Sequence, residues 1–174
     1  PDTARTLIEK GADLSVKDQK GESILMMAAR TGDSRLMELL KSKGFNLNWA
    51  LFEAAGSGDR AAINLLLEQG ALIDTKNSQG QTPLFAAAKE GRIEAVKLLL
   101  DKGAAVDLKD SFGWSPLTWS AQKGFTEIVQ TLLAKGANPN LKTNKLGWTP
   151  IFPAAQKGHT QTVLALIAKG ADVN

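Results

Sequence analysis

A phrase that returns about every 33 residues constrains this chain more than any other feature. In its clearest copy it runs Gly80-Gln81-Thr82-Pro83-Leu84-Phe85-Ala86-Ala87-Ala88-Lys89-Glu90-Gly91, then Ala95-Val96-Lys97-Leu98-Leu99-Leu100, then Gly103-Ala104-Ala105-Val106-Asp107. Registered on the glycine that closes each copy (Gly11, Gly44, Gly70, Gly103, Gly136 and Gly170), the separations are 33, 26, 33, 33 and 34 residues. A fixed period of this length marks an array of small units, none of which buries its apolar face alone. Stability must then come from contacts between neighbours, and the fold is a stack with no single central core.

Each part of the phrase has a physical task. Thr82-Pro83, Ser115-Pro116 and Thr149-Pro150 place a side-chain oxygen at a helix N-cap and a proline at the first helical position, where its missing N–H would have had no partner; Ser23 caps in the same way. Small residues along the first helices, Ala28-Ala29, Ala54-Ala55, Ala87-Ala88 and Ala154-Ala155, let successive helices approach closely. Gly11, Gly70, Gly103, Gly136 and Gly170 follow the second helices, where the chain commonly turns left-handed. The predicted unit is helix, tight turn, helix and an extended finger such as Val106-Asp107-Leu108-Lys109-Asp110-Ser111-Phe112-Gly113.

This pattern resembles the ankyrin-repeat family over essentially all 174 residues. The resemblance implies an all-α solenoid of stacked helix-turn-helix units with short β-like fingers, forming one domain. A partial unit is expected over 1–20, present as its second helix at about 2–10, and full units over about 21–48, 49–76, 77–109, 110–142 and 143–174. It further implies a protein-binding surface and no catalysis.

Two departures from the family pattern stand out. The frequent histidine of the Thr-Pro-Leu-His phrase is replaced by Met26, Phe52, Phe85, Thr118 and Phe152, so aromatic packing is expected where that histidine would bond. The spacing from Gly44 to Gly70 is also short by seven residues, and Asn48 runs directly into Trp49-Ala50-Leu51-Phe52. Residues 49–74 should therefore form two helices with no finger before them, with Trp49 at the capping position. The gap reads as a docking notch or as drift in a tolerant loop. Trp49 reads as filling the gap in preference to contacting a partner.

Composition sets limits. Hydrophobic residues make up 43% of the chain and charged ones 22%, too apolar for disorder. Apolar runs such as 163–168 are far too short to span a bilayer, and no signal-peptide pattern is present. The chain starts inside a unit, which leaves a preceding leader or helix open. Having no cysteine, it offers no disulfide and no thiolate ligand, in a reducing or an oxidising compartment alike. A formal charge of +3 arises from scattered Lys and Arg, so the expected partner is a protein with an acidic or mixed surface and not nucleic acid. The lone histidine, His159, lies in a Gly158-His159 pair that the family uses at its inter-helix turn; with no second histidine or thiol it makes neither a metal site nor an activated nucleophile. No catalytic motif, metal or cofactor is expected.

In the family, partners are met by finger tips and by the last turn of each first helix. Carried over residue by residue, the helix positions are Arg30 and Thr31, Gly56 and Ser57, Lys89 and Glu90, Gln122 and Lys123, Gln156 and Lys157. The finger positions are Gln19, Lys20 and Glu22; Ser78, Gln79 and Gln81; Ser111, Phe112 and Trp114; Lys145, Leu146 and Trp148. Aromatic weight gathers at the C-terminal end, where Trp114 and Trp148 occupy one slot after the finger glycine and Trp119 lies a helical turn beyond Trp114. Contact is the preferred reading for Trp114 and Trp148; Trp119 is balanced between contact and packing, and Phe112 and Leu146 can fold back. The candidate face is accordingly Phe112, Trp114, Trp119, Gln122, Lys123, Leu146, Trp148, Gln156 and Lys157, with Lys89 and Arg30. Five units at roughly 10 Å per helix layer give a rigid face on the order of 40 to 50 Å long. The expected mechanism is occlusion or tethering by a chain that is monomeric when free. Small bacterial ankyrin proteins of similar composition include periplasmic ones that protect the cell from its own enzymes; an inhibitor or immunity role in the periplasm is the specific expectation, with a scaffold for a cytoplasmic or host partner as the alternative.

Overall fold

The computed structural model describes residues 23–173 together with Thr6, Ile8 and Lys10. Within them the helices come in pairs: α1 (Ile24–Thr31) with α2 (Ser34–Ser42), α3 (Leu47–Ser57) with α4 (Arg60–Glu68), α5 (Pro83–Lys89) with α6 (Ile93–Asp101), α7 (Pro116–Lys123) with α8 (Thr126–Ala134), and α9 (Ile151–Gln156) with α10 (Thr160–Ile167). First helices pack on first helices (α3 on α5, α5 on α7, α7 on α9) and second helices on second helices (α4 on α6, α6 on α8, α8 on α10). The result is a two-layer, all-helical solenoid, and no sheet forms among the described residues. Its core runs between the layers through Leu51, Leu66, Leu84, Leu99, Leu117 and Leu132, all fully buried. Small residues set the close approach, since Ala28, Ala29, Ala54, Ala55, Ala87 and Ala88 are almost wholly inaccessible. In the last pair Ala154 is buried and Ala155 is exposed. Gly11 and the finger positions Gln19, Lys20 and Glu22 lie outside the described residues, as does most of the expected first unit.

Of the four Ser and Thr caps that the sequence places on the five first helices, three form. The hydroxyls of Ser23, Thr82 and Ser115 accept from the backbone N–H of Met26, Phe85 and Thr118 at 3.3, 3.2 and 3.1 Å. Thr149 does not cap. Pro153, third in α9, has no N–H to return to the Thr149 carbonyl; Phe152 donates to that carbonyl instead at 3.1 Å, a tighter turn in which the threonine side chain takes no part. A second correction concerns the shortened unit. Its first helix starts at Leu47, two residues before the expected start, and the cap is Asn46, whose Oδ1 accepts from Asn48 and Trp49 at 2.9 and 3.2 Å. Trp49 thus lies inside the first turn and not at the capping position.

Neighbouring units are tied by a ladder of Asn and Asp side chains that accept a backbone N–H from the next unit. Asn48 takes Leu72 at 2.7 Å, Asp74 takes Ala105 at 3.0 Å, Asp107 takes Asn138 at 3.1 Å and Asn140 takes Asp172 at 2.8 Å. The first rung spans 24 residues and the next two span 31, a difference equal to the seven missing residues, so the ladder crosses the shortened junction unbroken. A second tie sits at the inter-helix turns. The residue before each later second helix lies over the turn glycine of the preceding unit: Arg92 over Gly58, Phe125 over Gly91 and His159 over Gly124. Arg92 Nε also reaches the Gly56 carbonyl at 3.1 Å. In the two earlier pairs the same position holds Asp33 and Asp59, which cap their helices. Along the outer layer Lys97 meets Glu94 and Glu127 at 3.2 and 2.9 Å, and Lys135 meets Asp101 at 2.8 Å. The hydrogen bond to Glu127, then that to Glu94, raises the Lys97 pKa above its ordinary 10.5.

Candidate functional site

The fingers are hydrogen-bonded turns whose shape is set by one side chain each. Asp110 Oδ1 accepts from the N–H of Phe112 and of Trp114, both at 2.9 Å, while Asp110 N–H donates to the Trp114 carbonyl at 2.9 Å. In the next finger Thr143 Oγ1 accepts from Trp148 N–H at 3.0 Å, and Thr143 N–H donates to the Trp148 carbonyl at 2.9 Å. These locks hold Trp114 and Trp148 at the base of their fingers, facing the first helices, and push the tip residues outward.

Trp114 leans edge-on against Trp119 of α7, with ring centroids 5.3 Å apart at 69°. Trp119 in turn lies 6.1 Å from the fully buried Phe85. Two ammonium groups sit over the Trp119 ring, Lys89 Nζ at 5.7 Å and Lys123 Nζ at 5.8 Å, each attracted by the ring's negative face. The indole Nε1 is buried without a hydrogen-bond partner. One unit further, Trp148 stacks on Phe152 at 4.6 Å and 28°. Phe85 and Phe152 thus pack as aromatics in the slot where the family's histidine would bond, while Thr118 instead places its hydroxyl 3.0 Å from that of Ser115.

Exposed large apolar side chains are spread along the described residues, among them Leu72, Leu164 and Val173, and two of the four most exposed stand on the finger tips of this region. Phe112 is 59% and Leu146 62% exposed, whereas Trp114, Trp119 and Trp148 are half-buried. Phe112, Trp114, Thr143, Lys145 and Leu146 line a depression of about 250 Å³ between the two tips. The structure therefore gathers Lys89, Phe112, Trp114, Trp119, Lys123 and Leu146 into one continuous region. Gln122 is half-buried, and its carbonyl oxygen lies 3.0 Å from His159 Nε2, which must carry the proton to donate there; His159 ties two units together. Gln156 and Lys157 are exposed at the end of α9, and Trp148 lies beside that helix. Arg30, at the end of α1, is separated from Lys89 by the whole α3–α4 pair and does not join the group. The pairing of Lys89 with Lys123 over one ring was not evident from the chain, although their 34-residue separation, one repeat plus one residue, was a usable signal. Among the described residues no three His, Asp or Glu side chains gather as metal ligands, and no helix is long and apolar enough to cross a membrane.

The amino-acid sequence that builds this row of fingers and short first helices matches a known family along its length. A family model of ankyrin repeats, three copies to a match, fits residues 1–77, 51–143 and 102–174. The chain belongs to the ankyrin-repeat family. It is 31% identical over 89 residues to an ankyrin repeat-containing protein of Treponema pallidum (strain Nichols), which covers 47% of this chain and 30% of that one. Over 86 residues it is 35% identical to the SH3 and multiple ankyrin repeat domains protein 2 of Homo sapiens, covering 44% of this chain and 5% of that one. An ankyrin repeat protein of fowlpox virus (strain NVSL) is 30% identical over 92 residues, covering 47% and 27%. The matched segments thus span less than a third of each relative. Ankyrin repeats are generally non-enzymatic binding modules, and this ankyrin stack is a protein–protein interaction module.

Proposed function

We propose that this ankyrin stack holds a partner protein on its C-terminal aromatic face and, in doing so, covers the partner's own working surface. The observation that carries the reading is the Trp114–Trp119 pair, crowned by the Lys89 and Lys123 ammonium groups and opening beside the depression between Phe112 and Leu146. Half-buried aromatics held from below lose little freedom when a partner lands on them, and exposed apolar tips supply surface to desolvate. Two cations beside that surface favour an acidic or mixed partner patch. Gln156, Lys157 and Trp148 would extend the contact, and Arg30 would serve only a partner long enough to reach across the α3–α4 pair. The free chain is taken to be monomeric. Inhibition or immunity against a bacterial envelope enzyme is the specific form preferred here, with tethering of a cytoplasmic or host partner as the second form.

The test is calorimetric titration against a partner recovered by pull-down, with thermal melts alongside. Phe112→Ala and Trp114→Ala should each weaken binding by about 2 kcal/mol, the scale of an interface anchor. Lys123→Glu should slow association and steepen its salt dependence. Glu38→Ala, on the outer layer, should bind as the parent does. Normal binding by both aromatic variants would move the interface elsewhere. Inhibition and tethering separate on one further measurement, since only occlusion lowers the partner's own activity at saturation.

A further inference from the structure

Consecutive finger tips are joined by one backbone hydrogen bond at a fixed offset. Ser111 N–H donates to the Gln79 carbonyl at 2.9 Å, and 33 residues later Asn144 N–H donates to the Phe112 carbonyl at 3.2 Å. One repeat earlier the same donor is the Ser78 N–H. Its acceptor would belong to the finger that the short 43–46 connection does not build, and no acceptor meets it among the described residues. A depression of about 350 Å³ lies at that place, with Trp49 and Phe52 contributed by α3 and Lys76, Asn77 and Ser78 by the following finger. Trp49 is 45% exposed, so it does not fill the gap as a buried ring would. Lys76 is exposed and makes no ion pair among the described residues, whereas its counterpart one repeat on, Lys109, donates to the Lys142 carbonyl of the next finger at 3.1 Å.

We infer that this notch binds an extended segment of a partner protein, which takes the place of the missing finger. The segment's carbonyl accepts from Ser78 N–H, an apolar side chain lies against Trp49 and Phe52, and a carboxylate meets Lys76 Nζ. The backbone supplies a donor already aligned by the tip-to-tip ladder, as in strand addition to an open edge. A phosphate backbone is a poor fit, because Lys76 is the single cation among the described residues that line the notch. This site is separate from the aromatic face and does not depend on it.

A displayed library of random linear twelve-residue peptides, selected on the whole chain, supplies the probe. A selected peptide is then titrated into ¹⁵N-labelled protein. The expected peptides carry a carboxylate near an aromatic or branched aliphatic residue. On binding, the Ser78 amide moves downfield and its solvent exchange slows at least tenfold. Trp49→Ala weakens binding at least tenfold, and Lys76→Glu, a surface change that leaves the melt untouched, weakens it severalfold; Trp114→Ala has no effect. The inference is overturned if selection yields no binder, or if binders survive both Trp49→Ala and Lys76→Glu. Loss of binding in Trp114→Ala overturns it too, by sending the peptide to the aromatic face. So does a Ser78 amide already protected in the free chain, which would mean that the chain covers its own notch.

Discussion

Gly103 and Gly113 share a left-handed backbone, with φ of 92° and 83°, but not a neighbourhood. A Cβ on Gly103 would meet nothing within 4 Å, while one on Gly113 would run into the backbone nitrogen of Asn144 in the next finger. Gly103→Ala should therefore cost only the left-handed strain, about 1–2 kcal/mol. Gly113→Ala should cost at least about 1 kcal/mol more, since the next finger must also shift. Urea denaturation of the two variants checks this, and equal losses would show that the tip-to-tip bond gives way freely. At the same scale, the three C-terminal tryptophans could be picked out from their slots alone, but their accessibility could not. Asp110 and Thr143 turn the finger bases inward and leave Phe112 and Leu146 outside, a consequence of side-chain hydrogen bonds that repeat spacing does not encode.

Among the elements, the first helices show how a local rule holds or fails with its context. Thr82 and Thr149 look alike in sequence, each followed by proline. Thr82→Ala should lose the bond to Phe85 N–H and about 1 kcal/mol of stability. Thr149→Ala should stay within about 0.5 kcal/mol of the parent, because its hydroxyl caps nothing. Chemical denaturation distinguishes the two, and a matching loss at Thr149 would contradict the tightened turn before α9. The clue, Pro153, was present in the chain four residues further on, but its effect depends on which carbonyl it fails to serve. The start of α3 lies two residues before the position that alignment on the Thr-Pro phrase predicts, because Asn46 is a better cap than Trp49. Helix pairs, alanine contacts and closing glycines were legible because each follows from a short-range steric requirement repeated several times.

For the whole molecule, the outer layer adds a stabilising line of charge that has no counterpart at the candidate face. The Lys97 pKa is raised in the folded state, chiefly by Glu127 and then Glu94. A raised pKa means that its contribution is fully present below the ordinary 10.5 and is lost as pH climbs through the higher folded value. The difference in melting temperature between the parent and Lys97→Ala should hold from neutral pH to about 9 and then shrink towards zero in strong alkali, with high salt reducing it throughout. A difference that grew with pH would contradict the assignment. Stack-level order was legible from the period, but bridges between units, such as His159 on Gly124 or Lys97 to Glu127, required the pitch that only the folded chain supplies.

The Asn and Asp ladder, unbroken across the short junction, has a practical meaning. Spine and appendage are separate parts: pitch is kept by Asn48 and Leu72 whether or not a loop projects beside them. The 43–46 turn is thus a socket into which a guest loop of another length or chemistry can be spliced, with the helices on either side left in step.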